Sequence, residues 1–255
     1  MAKVSILLPT YNREPFIKEA IECVLNQSFA DLELCISDNC SSDSTWDIIQ
    51  HFCKENTKIK AIRQPTNIGP VKNWKACAAM ATAPYSKLLF SDDLISKSWL
   101  ENTLGILEND PDAAFVVTPA IISETPFLGE ASYNLGLDTF RIPKLTYLRL
   151  QLLTEGYLPV SPGAMIFRTP DLINNLHISL DGIQDYDFNS TGAGVDLLLS
   201  CLVALKYPYA YFCPKEVAFF RSHMGSITIE NKDMKVTEGY KLARTWLLGR
   251  LSGRC

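Results

Sequence analysis

The sequence predicts an α/β fold, with a doubly wound, mostly parallel (mixed) sheet. Three observations carry this. Short apolar runs alternate with stretches of helical period from the N-terminus onward; each run ends in turn-forming polar residues; and one run, Leu88-Leu89-Phe90, leads straight into Ser91-Asp92-Asp93. An apolar run without polar alternation fits a strand covered on both faces, as parallel strands are. Helices between such strands imply right-handed crossovers, so the loops after the strands converge on one rim, where open α/β sheets bind ligands.

The first predicted strand is Val4 to Leu8, closed by Pro9, with Thr10-Tyr11-Asn12 as the loop behind it. Pro15 suits a first helical turn, and Ile17, Ala20, Ile21, Val24 and Leu25 form one buried stripe. Leu32 to Ile36 predicts a second strand ending at Ser37-Asp38-Asn39, and the polar cluster Ser41-Ser42-Asp43-Ser44 is placed to cap a helix carrying Ile48, Ile49 and Phe52. Lys60 to Arg63 follows as a short strand. The loop from Pro65 to Pro70 then opens a helix bearing Val71, Trp74, Ala78 and Ala81. Ser86 to Phe90 is the fourth strand and delivers Asp92 and Asp93 to the rim, with a helix from Trp99 to Glu108 and a strand at Phe115-Val116-Val117 behind it. From Pro119 to about Leu158 no clean period is visible, which predicts an irregular insertion. Tyr209 to Cys213 and Val217 to Phe220 read as closing strands.

Composition narrows the classes. The 255 residues are 47% hydrophobic and 20% charged, as in an ordinary globular protein that folds on its own. A net charge of -4 gives no basic footprint for nucleic acid. The eight cysteines contain no C-x-x-C pair and lie mostly within apolar patterns, which points to a reducing compartment. No signal peptide is legible, and the run from Leu197 to Leu205 is far short of the roughly 20 residues of a membrane span, so a cytoplasmic protein is expected.

Two adjacent carboxylates at a strand's mouth suit a hard divalent cation, Mg2+ or Mn2+, and hence a diphosphate; equally, Ser91 or Asp93 would simply begin a turn and cap a helix. The segment Asp181 to Asp196 holds four aspartates, and Gly192-Ala193-Gly194 leads into an apolar helix with Asp196 in its first turn. There an acid favours the helix macrodipole whether or not it has a chemical role. His223, between a strand and a Gly-Ser turn, either completes a cation's shell, touches a diphosphate, or is structural.

Four stretches carry a family resemblance: Val4 through Asn12, Ala20 through Ser28, Ser37 through Asp43, and Asn67-Ile68-Gly69. Together they resemble the family 2 glycosyltransferases of the GT-A fold. The resemblance implies one domain over residues 1–255, with a nucleotide-sugar half to residue 118, an acceptor half over 119–229 and a helical tail over 230–255. It implies that Pro9, Thr10, Tyr11, Asn12 and Asp38 hold the nucleotide, that Asn67, Gly69 and Lys72 serve the donor side, and that Arg63 is a further phosphate candidate. Asp92 falls on ribose and metal-bound water, Asp93 on the metal itself, with His223 as a further ligand. Asp196 becomes the catalytic base of an inverting transfer, with Asp187 second in line and Val195 standing where many members carry Glu. The implied donor is a UDP-sugar and the acceptor a glycan or lipid-linked saccharide. A sugar nucleotidyltransferase is opposed by Pro9-Thr10-Tyr11-Asn12, which is not a basic glycine-rich loop; a nucleotide-binding scaffold would share the cleft and lack turnover. The tail, with Leu242, Trp246, Leu247 and Leu251 among Lys241, Arg244, Arg250 and Arg254, is an amphipathic helix that either packs on the core or rests on the inner face of a membrane.

Overall fold

The computed structural model describes residues 2–154, 156–225 and 234–253. The serine of the Gly-Ser turn after His223, the first residues of the 230–255 tail, Arg254 and Cys255 lie outside these. The chain opens with three strand–helix units: β1 (Val4–Thr10) and α1 (Glu14–Leu25), β2 (Leu32–Asp38) and α2 (Thr45–Glu55), β3 (Ile59–Arg63) and α3 (Pro70–Ala78). Next come β4 (Tyr85–Leu88), the short β5 (Leu94–Ile95), α4 (Trp99–Asn109), β6 (Ala113–Val117) and β7 (Ala120–Ser123). The second half holds β8 (Phe140–Pro143), α5 (Lys144–Leu153), a 3-10 turn (Pro162–Ala164), β9 (Met165–Arg168), α6 (Thr169–Asn174), α7 (Val195–Lys206), β10 (Tyr209–Phe212), β11 (Ala218–Arg221) and α8 (Lys235–Leu251).

The main sheet has eight strands in the order β3-β2-β1-β4-β9-β6-β10-β8. Strands β1 to β4 run parallel, as their apolar runs predict, and all seven residues of β1 and of β2 are buried. The mixed character comes from β9, antiparallel to both β4 and β6, and from β8, antiparallel to β10. A three-stranded sheet, β5-β11-β7, lies apart from it. One continuous hydrophobic cluster joins the two halves of the chain, from Val4 and Ile6 through Phe115 and Phe167 to Leu199 and Phe212.

One expectation is corrected, and two alternatives are resolved. The stretch from Pro119 to Leu158 is not irregular throughout, since it contains β7, β8 and α5. Its period is masked because α5 buries Tyr147, Leu148, Gln151 and Leu152 while leaving the equally apolar Leu145 and Leu153 exposed. At α2 the cap is Asp43: its Oδ1 accepts the Thr45 N–H at 3.1 Å, and its Oδ2 accepts the Glu14 N–H at 3.1 Å, so one carboxylate serves two helix starts. The α8 helix turns to the core, burying Gly239, Ala243 and Leu247, while Trp246 Nε1 donates to the Asp181 carbonyl at 3.1 Å. Its apolar stripe is thereby used within the chain. Among the described residues no helix is long and apolar enough to cross a membrane.

Candidate functional site

Parallel register places Thr10 beside Asp38 and Asp38 beside Arg63 at the carboxyl rim of β1, β2 and β3. Above that rim lies a cleft of about 1050 Å³. Pro9, Thr10, Tyr11 and Asn12 line it from β1, Asn67, Gly69 and Lys72 from the α3 entry, Asp92 and Asp93 from the β4 turn, and Asp196 from α7. Residues far apart in sequence thus share one wall-to-wall space.

The β1 loop is held open by its neighbour. Asn12 adopts a left-handed φ of 49°, where Asn is tolerated, and its Oδ1 accepts the Ser42 N–H at 2.9 Å. Tyr11 is consequently left 41% exposed, with its ring available for stacking. The buried Thr10 Oγ1 has no hydrogen-bond partner among the described residues, an unmet polar group of the kind a ligand satisfies. Asp38 does not reach the cleft. It is fully buried, accepts the Ser41 hydroxyl and, at 3.1 Å, the Ser41 N–H, and lies 3.4 Å from Arg63 Nε. Its carboxylate shapes the loop from behind, and Arg63 is used up in the same contact.

At the β4 turn, Asp92 Oδ2 accepts from Arg13 Nε at 3.2 Å and pairs with His223 Nε2 at 2.9 Å. His223 Nδ1 accepts the Gly225 N–H at 3.2 Å, so the proton sits on Nε2 and that nitrogen donates to Asp92. Both ring nitrogens of His223 are thus engaged, and the ring stands behind Asp92 rather than in the cleft lining. Asp93 Oδ1 accepts the Arg221 N–H at 3.0 Å. Burial, and then the Asp92 charge, push the Asp93 carboxyl well above the usual range, against Arg221 and the fully buried Lys87 below it. Among the described residues no group of three or more His, Cys, Asp or Glu side chains is placed to hold a metal. Even so, two adjacent carboxylates at the cleft, Asp93 buried and Asp92 partly exposed, fit a divalent cation that takes its other ligands from a diphosphate and water.

Asp196 sits in the first turn of α7, where Oδ1 accepts the N–H groups of Gly194 at 3.0 Å and Leu197 at 2.8 Å, and Oδ2 accepts the Tyr240 hydroxyl at 2.5 Å. Burial pushes its carboxyl up to about 6, a value suited to accepting a proton near neutral pH. Val195, 1% exposed, is a core residue. Asp187 lies at the cleft edge, exposed, with Oδ1 accepting the Asn189 N–H at 2.9 Å.

The Glycosyl transferase family 2 profile matches residues 5–173. The chain belongs to that family. A GalNAc(5)-diNAcBac-PP-undecaprenol beta-1,3-glucosyltransferase of Campylobacter jejuni is 35% identical over 94 residues, which are 36% of this chain and 30% of the relative. By structure, the chain is similar to S. aureus TarS 1-349 in complex with UDP-GlcNAc, with a TM-score of 0.75 and 19% identity over 96% of this chain and 66% of that one. It is also similar to the mannosyltransferase PcManGT of Pyrobaculum calidifontis in complex with GDP-Man and Mn2+, with a TM-score of 0.56 and 18% identity over 88% and 58% of the two chains. The fold is GT-A. The chain spans well under half the length of the curated relative and about two thirds or less of the two structural neighbours.

Several residues that shape this family 2 site escape sequence reading. Arg13 clamps Asp92 and also donates to the Gly225 carbonyl at 3.3 Å, joining α1 to the segment after β11. Asn189 ties the two sides of the cleft: its Oδ1 accepts the Lys72 N–H and its Nδ2 donates to the Ile68 carbonyl, both at 2.8 Å. Lys87 lies over the Trp99 ring at 4.6 Å and donates to the Gly163 and Leu88 carbonyls. A lysine inside a strand and a lone asparagine in a loop give no signal of this, because each works through a contact more than 70 positions away.

Proposed function

We propose that this chain is an inverting glycosyltransferase that moves a sugar from a UDP-sugar to a hydroxyl of a glycan or lipid-linked saccharide. The single observation behind this reading is the cleft that gathers the β1 loop, the Asp92-Asp93 turn and Asp196 around one space. Residues 1–118 supply the nucleotide side and residues 119–229 the acceptor side. The donor class is that of the UDP-GlcNAc complex of TarS, and the acceptor class that of the undecaprenol-linked saccharide on which the Campylobacter glucosyltransferase acts.

Tyr11 stacks on the base, and Thr10 Oγ1 gains the partner it lacks. Gly69, at φ 84°, keeps the α3 entry clear of any side chain, and Lys72 at the rim faces the phosphates. Asp93, with Asp92 beside it, would hold Mg2+ or Mn2+, which when bound neutralises charge on the departing diphosphate. Arg13 and His223 keep Asp92 oriented. Asp196 takes the proton of the acceptor hydroxyl as its oxygen bonds to the anomeric carbon and the bond to UDP breaks. Attack from the face opposite the leaving group inverts that carbon.

The reading is tested by a thermal-shift panel of UDP, GDP and dTDP with Mn2+ on the parent and on Asp93→Ala. UDP is expected to raise the melting temperature of the parent and not of the variant. No stabilisation by any nucleotide would end the reading. A scaffold would bind UDP yet release none from UDP-sugars and would be indifferent to Asp196→Asn.

A further inference from the structure

A carboxylate offers about four acceptor positions on its two oxygens, and three of those on Asp196 are occupied: two on Oδ1 by N–H groups and one on Oδ2 by Tyr240. One position remains, on Oδ2, and Asp196 lines the cleft. We propose that Tyr240 is a positioning residue for the transfer: its hydroxyl pins Asp196 Oδ2 so that the last open lone pair of that oxygen faces the acceptor hydroxyl in the cleft. This rests on the reading of Asp196 as the base.

The placement of Tyr240 is built into the backbone. Gly194, at φ 87°, and Gly239 face each other where the entry to α7 meets α8. A Cβ on Gly194 would lie 2.5 Å from the Gly239 carbonyl oxygen, and one on Gly239 would lie 2.7 Å from the Ala193 carbonyl oxygen. Only glycine at both positions lets the helix approach so closely. Tyr186 fastens the start of α8 by donating to the Lys235 carbonyl at 2.7 Å. Tyr240, with Ser161 and Phe220, lines both the cleft and a second cavity of about 410 Å³, whose walls include Gln151, Thr237 and Arg244. Asp196 lines the cleft and not the second cavity, so the cleft is its approach.

The ionisable groups acting on this pair are few. Cys201 of α7 feels the Asp196 charge, and Tyr240 feels Arg244 of α8 and Tyr133 from the loop after β7. Burial raises the Asp196 carboxyl, and the Tyr240 hydroxyl opposes that rise. A hydrogen bond to the charged form favours it, so removing the hydroxyl moves the midpoint of Asp196 to higher pH.

The test uses the full chain and Tyr240→Phe, which keeps the ring. Aspartate-labelled ¹³C carboxyl titration reads the midpoint directly, with the Asp196 resonance identified by its absence in Asp196→Asn. The midpoint is expected to move up in Tyr240→Phe. UDP release from UDP-GlcNAc, UDP-glucose and UDP-galactose with Mn2+ is read in parallel. Loss of the pinning bond should lower kcat about tenfold to a hundredfold, leave donor KM unchanged and shift the acid limb of kcat upward. An unmoved midpoint, or parental kcat in Tyr240→Phe, overturns the proposal. Parental turnover in Asp196→Asn instead removes the base assignment, whatever Tyr240→Phe does. Where none of the three donors yields UDP, an unmoved midpoint in Tyr240→Phe still overturns the proposal.

Discussion

The His223 imidazole donates from Nε2 to Asp92 Oδ2 across 2.9 Å, joining the segment after β11 to the turn after β4. Its ring rests on Phe16 of α1 at 4.7 Å, so three distant parts of the chain fix one carboxylate. A side chain that holds a ligand residue in place typically accounts for about tenfold to a hundredfold in metal affinity. His223→Ala is accordingly expected to weaken Mn2+-dependent UDP binding by that factor, read by calorimetric titration. Binding equal to the parent's would mean that Arg13 alone suffices to orient Asp92.

The first half of the fold is legible because β1 and β2 are buried on both faces and say so in nearly continuous apolar runs. Val4–Thr10 and Leu32–Asp38 are the clearest cases. The second half is read less well for a physical reason. β7 and β8 keep an exposed side, and β9 enters antiparallel between β4 and β6, a pairing that no local pattern encodes. The site divides the same way. Asp92, Asp93 and Asp196 stand out because acids at the ends of apolar runs need an explanation. Arg13, Asn189 and Tyr240 are ordinary until the chain has folded around them. The sequence puts Asp38 at the end of β2, but whether its side chain points into the cleft or behind it depends on Ser41 and Arg63, which sequence position cannot tell.

Asp93 illustrates strain that a ligand would relieve. Its carboxyl is held well above the ordinary range by burial and by Asp92. A group whose folded pKa is raised in this way contributes stability that is full at low pH and fades as pH rises toward the folded value. Asp93→Asn should therefore raise the melting temperature of the ligand-free protein more at pH 8 than at pH 5. The same variant should lose the stabilisation by UDP with Mn2+. A variant that melts below the parent at pH 8 would show that Arg221 and Lys87 already compensate the charge.

Gly69 has a φ of 84°, and a Cβ there would lie 3.1 Å from the Asn189 carbonyl oxygen and much closer to the Asn189 side chain. Displacing that side chain breaks the link between Ile68, Lys72 and the 187–191 segment. Gly69→Ala is expected to cost about 1–3 kcal/mol by chemical denaturation, from backbone strain and overpacking, and to weaken UDP binding along with it. Unchanged stability would mean that the α3 entry rearranges freely.

Asp196 separates chemistry from stability within a single substitution. A positioned base contributes about a hundredfold to ten-thousandfold, so Asp196→Asn should lower kcat by that much and leave UDP affinity largely intact. Its effect on stability should depend on pH. With the carboxyl pushed up to about 6 in the folded chain against an ordinary 3.8, the folded state binds the proton more tightly than the unfolded one. The contribution of Asp196 to the parent's stability is then fullest below pH 4 and declines as pH rises through 6, by about 3 kcal/mol at about 1.36 kcal/mol per unit. The asparagine has no such proton to lose. Denaturant unfolding of both proteins from pH 4 to 7 should show the variant gaining on the parent across that window and holding its gain above it. Parallel curves would mean that the hydrogen bonds from Gly194, Leu197 and Tyr240 offset the burial, and that the acid limb of turnover belongs to another group.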